Sequence, residues 1–219
     1  SGGVPAVAAG VSNRCVVART GRGGAVSFAV CVFCGSSRGT DPRHAAAAVE
    51  LGREIARRGW TLVYGGGSVG LMGLVADAVL EAGGIVIGVI PRFLYEWEVG
   101  HDDLTELEIV DTLTERKVRM GDLADAFLTL PGGIGTLDEA FEALSWAQLG
   151  LEQMPNGLLN VAGYYDPLVA LLGHAADAGF VSEQNRGLFV VEDDPARLLD
   201  RLAVHVPPPG PAWITAEEA

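Results

Sequence analysis

The chain is predicted to fold as a Rossmann-like, doubly wound α/β domain, a mostly parallel sheet with helices on both faces. Three observations carry this prediction. Seven short apolar runs punctuate the sequence, amphipathic stretches separate most of them, and three of the runs end in glycine-rich turns. Runs that are apolar throughout, rather than alternating, suit strands covered on both faces. Strand followed by helix, repeated, gives parallel strands joined by crossover helices.

Taken in order, the strand runs are Phe28–Cys34, Thr61–Tyr64, Ile85–Ile90, Leu107–Asp111, Ala126–Leu130, Gly157–Val161 and Leu188–Val191. The helical stretches are His44–Arg58, Leu71–Ala82, Leu113–Leu123, Leu137–Leu149, Pro167–Ala178 and Pro195–Val204. Residues 26–204 read as one nucleotide-binding domain. Residues 1–25 read as a flexible Gly/Ala-rich leader, and 205–219 as a proline-rich tail, either a surface strap or a disordered end. The leader's apolar stretch is broken by Pro5, Gly10, Ser12 and Asn13 with no positive region before it, which argues against a signal peptide.

Composition narrows the function classes. A net charge of -13 gives no basic field for nucleic acid or an anionic membrane. The leader, with Arg14, Arg19 and Arg22 and no acid, runs against that trend. No run of about 18 apolar residues is present to span a bilayer, so a cytoplasmic location is expected. Three cysteines, Cys15, Cys31 and Cys34, are too few for a disulfide framework. Cys31 and Cys34 spell C-x-x-C, but without a second pair they read as small buried strand residues rather than a zinc or redox site. The four histidines lack ligand spacing, so no metal is expected.

The glycine turns follow the carboxyl ends of strands, where open α/β sheets bind ligands. Gly65-Gly66-Gly67-Ser68-Val69-Gly70 satisfies G-x-G-x-x-G, yet the next strand ends in Pro91-Arg92 instead of the acid a dinucleotide requires. Its glycines serve either ligand contact or close packing. Pro131-Gly132-Gly133-Ile134-Gly135-Thr136-Leu137-Asp138-Glu139 turns on glycines and opens a helix, a setting that favours an anion. On spacing alone Thr136 and Glu139 form a T-x-x-E capping box. Glu115-Arg116-Lys117 contains the chain's single lysine, and Glu115 with Arg119 reads as an i,i+4 pair.

Together these segments resemble the Lonely Guy family, the cytokinin-activating nucleoside 5′-monophosphate phosphoribohydrolases. The resemblance runs from about Cys31 to Val191. It rests on Cys34-Gly35-Ser36-Ser37, Tyr64-Gly65-Gly66-Gly67 with Gly70-Leu71-Met72-Gly73, Gly88-Val89-Ile90-Pro91, and Glu115-Arg116-Lys117 with Met120. It continues through Pro131–Glu139, Trp146–Gly150 and Gly157–Val161. The resemblance implies a cofactor-free hydrolase that releases a purine base and ribose 5-phosphate from N6-isoprenylated adenosine monophosphates, with AMP also accepted. It implies Arg116 and Glu139 as the catalytic pair. It places Lys117, Gly132, Gly133, Ile134, Gly135, Thr136, Leu137 and Asp138 at the nucleotide, with Glu98 and Ser145 contributing. It also implies a homodimer or larger assembly with active sites near the dimer interface. Two positions depart from the pattern. Leu113-Thr114 stands where the family often has Met-His, and Met154 where a lysine is common.

Three other readings share parts of this pattern. A pyridoxal-dependent lysine decarboxylase would have to form its Schiff base on Lys117. A nucleotide or molybdenum-cofactor carrier would share the glycine loops without needing Glu139 for chemistry. A nicotinamide-dependent oxidoreductase lacks its ribose acid.

Overall fold

The computed structural model describes residues 27–210, except for the side chains of Glu98 and Val99. The leader, Cys15 and the last part of the tail, including Trp213, lie outside the described residues.

Seven strands are present: β1 (Ala29–Phe33), β2 (Thr61–Tyr64), β3 (Ile85–Pro91), β4 (Glu106–Val110), β5 (Ala126–Thr129), β6 (Asn156–Leu159) and β7 (Val190–Glu192). They pair in parallel, in the order β4-β3-β2-β1-β5-β6-β7. The predicted α/β fold is the one adopted, and each strand falls on one of the seven apolar runs. Crossovers are made by α1 (Pro42–Arg57), α2 (Gly70–Glu81), a short α3 (Arg92–Leu94), α4 (Leu113–Asp122), α5 (Ile134–Leu149) and α6 (Asp166–Asp177), with α7 (Pro195–Leu202) after the last strand.

Successive side chains of a strand point to opposite faces, and this divides the core in two. Val30, Val32, Leu62, Tyr64 and Leu128 face α1, α2 and α7, where Leu51, Ile55, Val75 and Leu198 are fully buried. Ala29, Cys31, Phe33, Val63 and Phe127 face the other way, onto Met120 of α4 and Ala143 of α5. The same alternation resolves the C-x-x-C motif. Cys31 and Cys34 are buried free thiols in different core clusters, on opposite faces of the sheet. Met154, one of the two departures from the family pattern, is a buried member of the second cluster.

Three details differ from the sequence reading. Strand β4 is an edge strand, and Glu106 and Ile109 are exposed on it. Arg92–Val99, outside the expected helical stretches, forms α3 and a following π-helical turn over Tyr95–Val99. Phe93 and Trp97 stand four apart in it, but eight residues are too few for a periodic signal to mark a helix. Lastly, α5 begins at Ile134, three residues before the expected Leu137.

The described part of the tail packs as a strap. Gln184 Nε2 donates to the Pro209 carbonyl at 2.9 Å, and Pro208 lies beside Gly187.

Candidate active site

From β1 the chain winds outward through β2, β3 and β4, then returns to β5 on the other side of β1 and continues to β6 and β7. The strand order therefore reverses between β1 and β5, and the loops leaving those two strands part there to leave a crevice. They are tied at its base, where the Gly35 N–H donates to the Pro131 carbonyl at 3.1 Å and Leu71 N–H donates to the Gly35 carbonyl at 3.0 Å. Gly70 makes this approach possible. Its φ is +64°, and a Cβ there would lie 2.2 Å from the Ser36 carbonyl carbon. A cavity of about 410 Å³ opens above these loops. One wall is Gly133, Ile134, Gly135, Thr136 and Glu139 of the β5–α5 segment. The opposite wall is Val69, Met72, Ile90 and Leu94, with Gly65, Gly67 and Arg116 between them.

Arg116 and Glu139 meet in this cavity. On α4, Met120 anchors the helix in the core, and Arg116 lies one turn earlier on the same face. Its guanidinium passes over Gly65, where a Cβ would sit 2.0 Å from Nη2. On α5, Ala140, Ala143 and Ala147 are buried, and Glu139 projects beside them to form an ion pair with Arg116, its carboxylate oxygen 3.0 Å from Nη2. The side chains are only 13% and 10% exposed, so the pair is nearly withdrawn from water. Burial pushes the Glu139 carboxyl above the ordinary carboxylate value of 4.5, and the Arg116 charge works against that rise. The Cys34 thiol lines the same cavity, and burial followed by the Glu139 charge keeps it protonated.

The capping box expected at Thr136 and Glu139 does not form. Gly133 is the N-cap of α5, without a side-chain cap, so Thr136 already lies inside the helix with its hydroxyl packed against Gly132. The first helix N–H groups, those of Ile134, Gly135 and Thr136, have no acceptor within the helix. No atom comes within 4 Å of where a Cβ would stand on Gly133 or Gly135. Bare amides, the positive end of a 16-residue helix and open space together suit an anion such as a phosphate. The same T-x-x-E spacing does cap α4. Thr112 Oγ1 accepts from the Glu115 N–H at 3.0 Å, and Glu115 reaches back to the Asp111 N–H at 2.9 Å. Glu115 is therefore used in the cap, and Arg119 pairs with Glu108 at 2.6 Å rather than with Glu115.

Of the residues singled out in the sequence, Gly133, Ile134, Gly135, Thr136, Arg116 and Glu139 come together at the cavity. Gly132 and Leu137 are half-buried and do not line the cavity. Lys117 lies off the cavity wall, zipping α4 to α5 through Glu142 at 2.6 Å and Asp138 at 3.3 Å. Ser145 is exposed on a separate apolar groove between α5 and α6, where its hydroxyl donates to the Phe141 carbonyl at 2.8 Å. Glu98 falls in the turn Tyr95–Val99, and its side chain lies outside the described residues. Sequence reasoning quoted Val69, Met72 and Ile90 only as parts of motifs, and assigned neither these nor Leu94 to an apolar wall. Each of these sits where an element starts or ends, so no periodic signal marked it. Among the described residues, no group of three or more His, Cys, Asp or Glu is placed to hold a metal ion.

Two relatives decide the family. A cytokinin riboside 5′-monophosphate phosphoribohydrolase, LOG, from Oryza sativa subsp. japonica is 47% identical over 178 residues, covering 81% of this chain and 74% of the relative. One from Arabidopsis thaliana, LOG7, is 46% identical over 178 residues, covering 81% of this chain and 82% of the relative. The chain belongs to the Lonely Guy family. A family model described as "possible lysine decarboxylase" matches residues 72–202 of this Lonely Guy member. Its only lysine is held by two carboxylates that raise its pKa, the opposite of an amine prepared for Schiff-base chemistry. Among solved structures, the molybdenum cofactor carrier protein from Chlamydomonas reinhardtii superposes with a TM-score of 0.61 at 23% identity, covering 81% of this chain and 98% of that one. The molybdenum cofactor binding protein from Rippkaea orientalis gives 0.60 at 20% identity, covering 81% and 96%. At such identities the likeness shows the shared fold.

Proposed function

We propose that this Lonely Guy chain hydrolyses the N-glycosidic bond of nucleoside 5′-monophosphates, N6-modified adenosine monophosphates and AMP, releasing free base and ribose 5-phosphate. The observation that carries the reading is the buried Arg116–Glu139 pair set beside an uncapped helix start in one cavity. In the reaction the C1′–N9 bond breaks and its electron pair leaves with the base, which is then protonated. Positive charge builds on the ribose, and water adds to C1′. A carboxylate at C1′ stabilises that charge or activates the water. The amides of Ile134, Gly135 and Thr136 hold the 5′-phosphate one helical turn from Glu139, so binding energy at the phosphate places the sugar at the carboxylate. Arg116 orients Glu139 through the ion pair at Nη2. Lys117 and Asp138 act from behind, by fixing α4 against α5.

If the phosphate is the handle, the unphosphorylated riboside is a poor substrate. We expect N6-isopentenyladenosine monophosphate to be cleaved at least about 100-fold faster than its riboside, given what orientation contributes. Equal rates for the two would remove the phosphate from the reading.

The pH dependence has a definite sign. The folded chain holds the Glu139 proton more tightly than the unfolded one. This group therefore adds stability below the unfolded value, near 4.5, and that contribution is lost as pH rises through the raised folded value. Activity runs the other way, because the carboxylate is the working form. The acid limb of log kcat is expected above pH 4.5, and Arg116→Met, which removes the charge that lowers the Glu139 pKa, should move it to higher pH. A limb that stays in place would separate Arg116 from Glu139 titration.

The reading includes a cytoplasmic homodimer. Free buried thiols at Cys31 and Cys34 suit a reducing compartment. The apolar groove between α5 and α6, formed by Phe141, Leu144, Val169 and Leu172 and carrying Ser145, offers a face for a second copy. A solution mass near 22.8 kDa, that of one chain, would rule the dimer out.

A further inference from the structure

We propose that Tyr164 is a positioning residue for the phosphate end of the site, acting through the Gly132–Gly133 peptide. The proposal deepens the hydrolase reading and rests on it. After β6 the chain enters a loop fixed by Asn160, whose side chain accepts from the Tyr165 N–H and donates to Asp166, each at 2.7 Å. Within this loop Ala162 has φ +56°, and it is the only non-glycine residue with positive φ among the described residues. Gly163 follows with φ +75°. An alanine in the left-handed region is uncommon and persists where its surroundings over-determine it. What the turn achieves is visible in the next two residues. Tyr165 is buried and its hydroxyl donates to the Leu130 carbonyl at 2.7 Å, while Tyr164, braced edge-on by His44 and Tyr165, donates to the Gly132 carbonyl at 2.5 Å.

Two adjacent tyrosines therefore grip two carbonyls of the β5–α5 loop. The Leu130 contact is part of the core. The Gly132 contact acts on the peptide that leads into α5. No peptide bond in the described chain is cis, so drawing the Gly132 carbonyl to Tyr164 directs the Gly133 N–H the opposite way. Gly133 is the N-cap of α5, lines the cavity, and has open space on its Cβ side. Tyr164 thus holds in place the peptide that leads into the Ile134, Gly135 and Thr136 amides, a peptide that would otherwise rotate because glycines on both sides leave it free to turn.

The test is Tyr164→Phe, which removes the hydroxyl and keeps the ring. Calorimetric titration with ribose 5-phosphate reads the phosphate end without turnover, and AMP kinetics read the reaction. The dissociation constant for ribose 5-phosphate and the KM for AMP are expected to rise about tenfold, with kcat changed less than about threefold, as loss of one hydrogen bond allows. The melting temperature should stay near that of the wild type. Ala162→Gly, which keeps the left-handed turn, should behave as the wild type. Ala162→Val, a β-branched residue that resists it, should reproduce Tyr164→Phe, and the double variant should add little. Unchanged ribose 5-phosphate affinity in Tyr164→Phe would overturn the proposal, as would a loss confined to kcat or to thermal stability. If the wild type binds ribose 5-phosphate but releases no base, the hydrolase reading fails, and the titrations still decide the role of Tyr164.

Discussion

Glu139→Gln is expected to lower base release from a nucleoside 5′-monophosphate by about 10²–10⁴-fold, the range a positioned carboxylate contributes. The substitution keeps the side chain's shape beside Arg116, but removes the charge that meets the developing oxocarbenium ion. Folding should be little affected, because two effects oppose each other. The variant relieves an ionised carboxyl of its burial, and it deprives Arg116 of its ionic partner. Nucleotide affinity is expected to persist, since the amides at the start of α5 are untouched. Single-turnover rates with matched melting curves would show this, and a variant retaining more than about a tenth of wild-type kcat would remove Glu139 from the chemistry.

Gly65→Ala is the second large effect. The added Cβ would stand 2.0 Å from Arg116 Nη2 and 3.0 Å from Cζ. What it meets is the far end of a flexible side chain rather than backbone, so the fold accommodates it by moving the guanidinium. That displacement takes Arg116 off Glu139 by an ångström or more, and misplacement on this scale costs about 10²-fold in rate. We expect kcat/KM to fall by about two orders of magnitude with the melting temperature within a few degrees of wild type. A fully active variant would show that the guanidinium position over Gly65 is not needed.

The strands were legible because a parallel sheet buries both faces and leaves apolar runs from Ala29–Phe33 to Val190–Glu192. The T-x-x-E pattern shows where such reading stops. At Thr112–Glu115 it caps a helix, whereas at Thr136–Glu139 the preceding glycines take over the N-cap position, and Glu139 is released to meet Arg116 from a different helix. Only the tertiary partner distinguishes the two. Lys117 drew attention by being the single lysine, yet its neighbours Asp138 and Glu142 come from α5, so its place could not be read from spacing. Tyr164 reaches Gly132 across 32 positions of sequence and left no local signal.

The central claim is that this cavity cleaves the bond between ribose and base. Incubating the full chain with N6-isopentenyladenosine monophosphate and separating the products by chromatography tests it most directly. Stoichiometric free base and ribose 5-phosphate, formed over many turnovers, is the predicted result. Tight nucleotide binding with the substrate recovered intact would contradict it, and would make the chain a carrier on this fold.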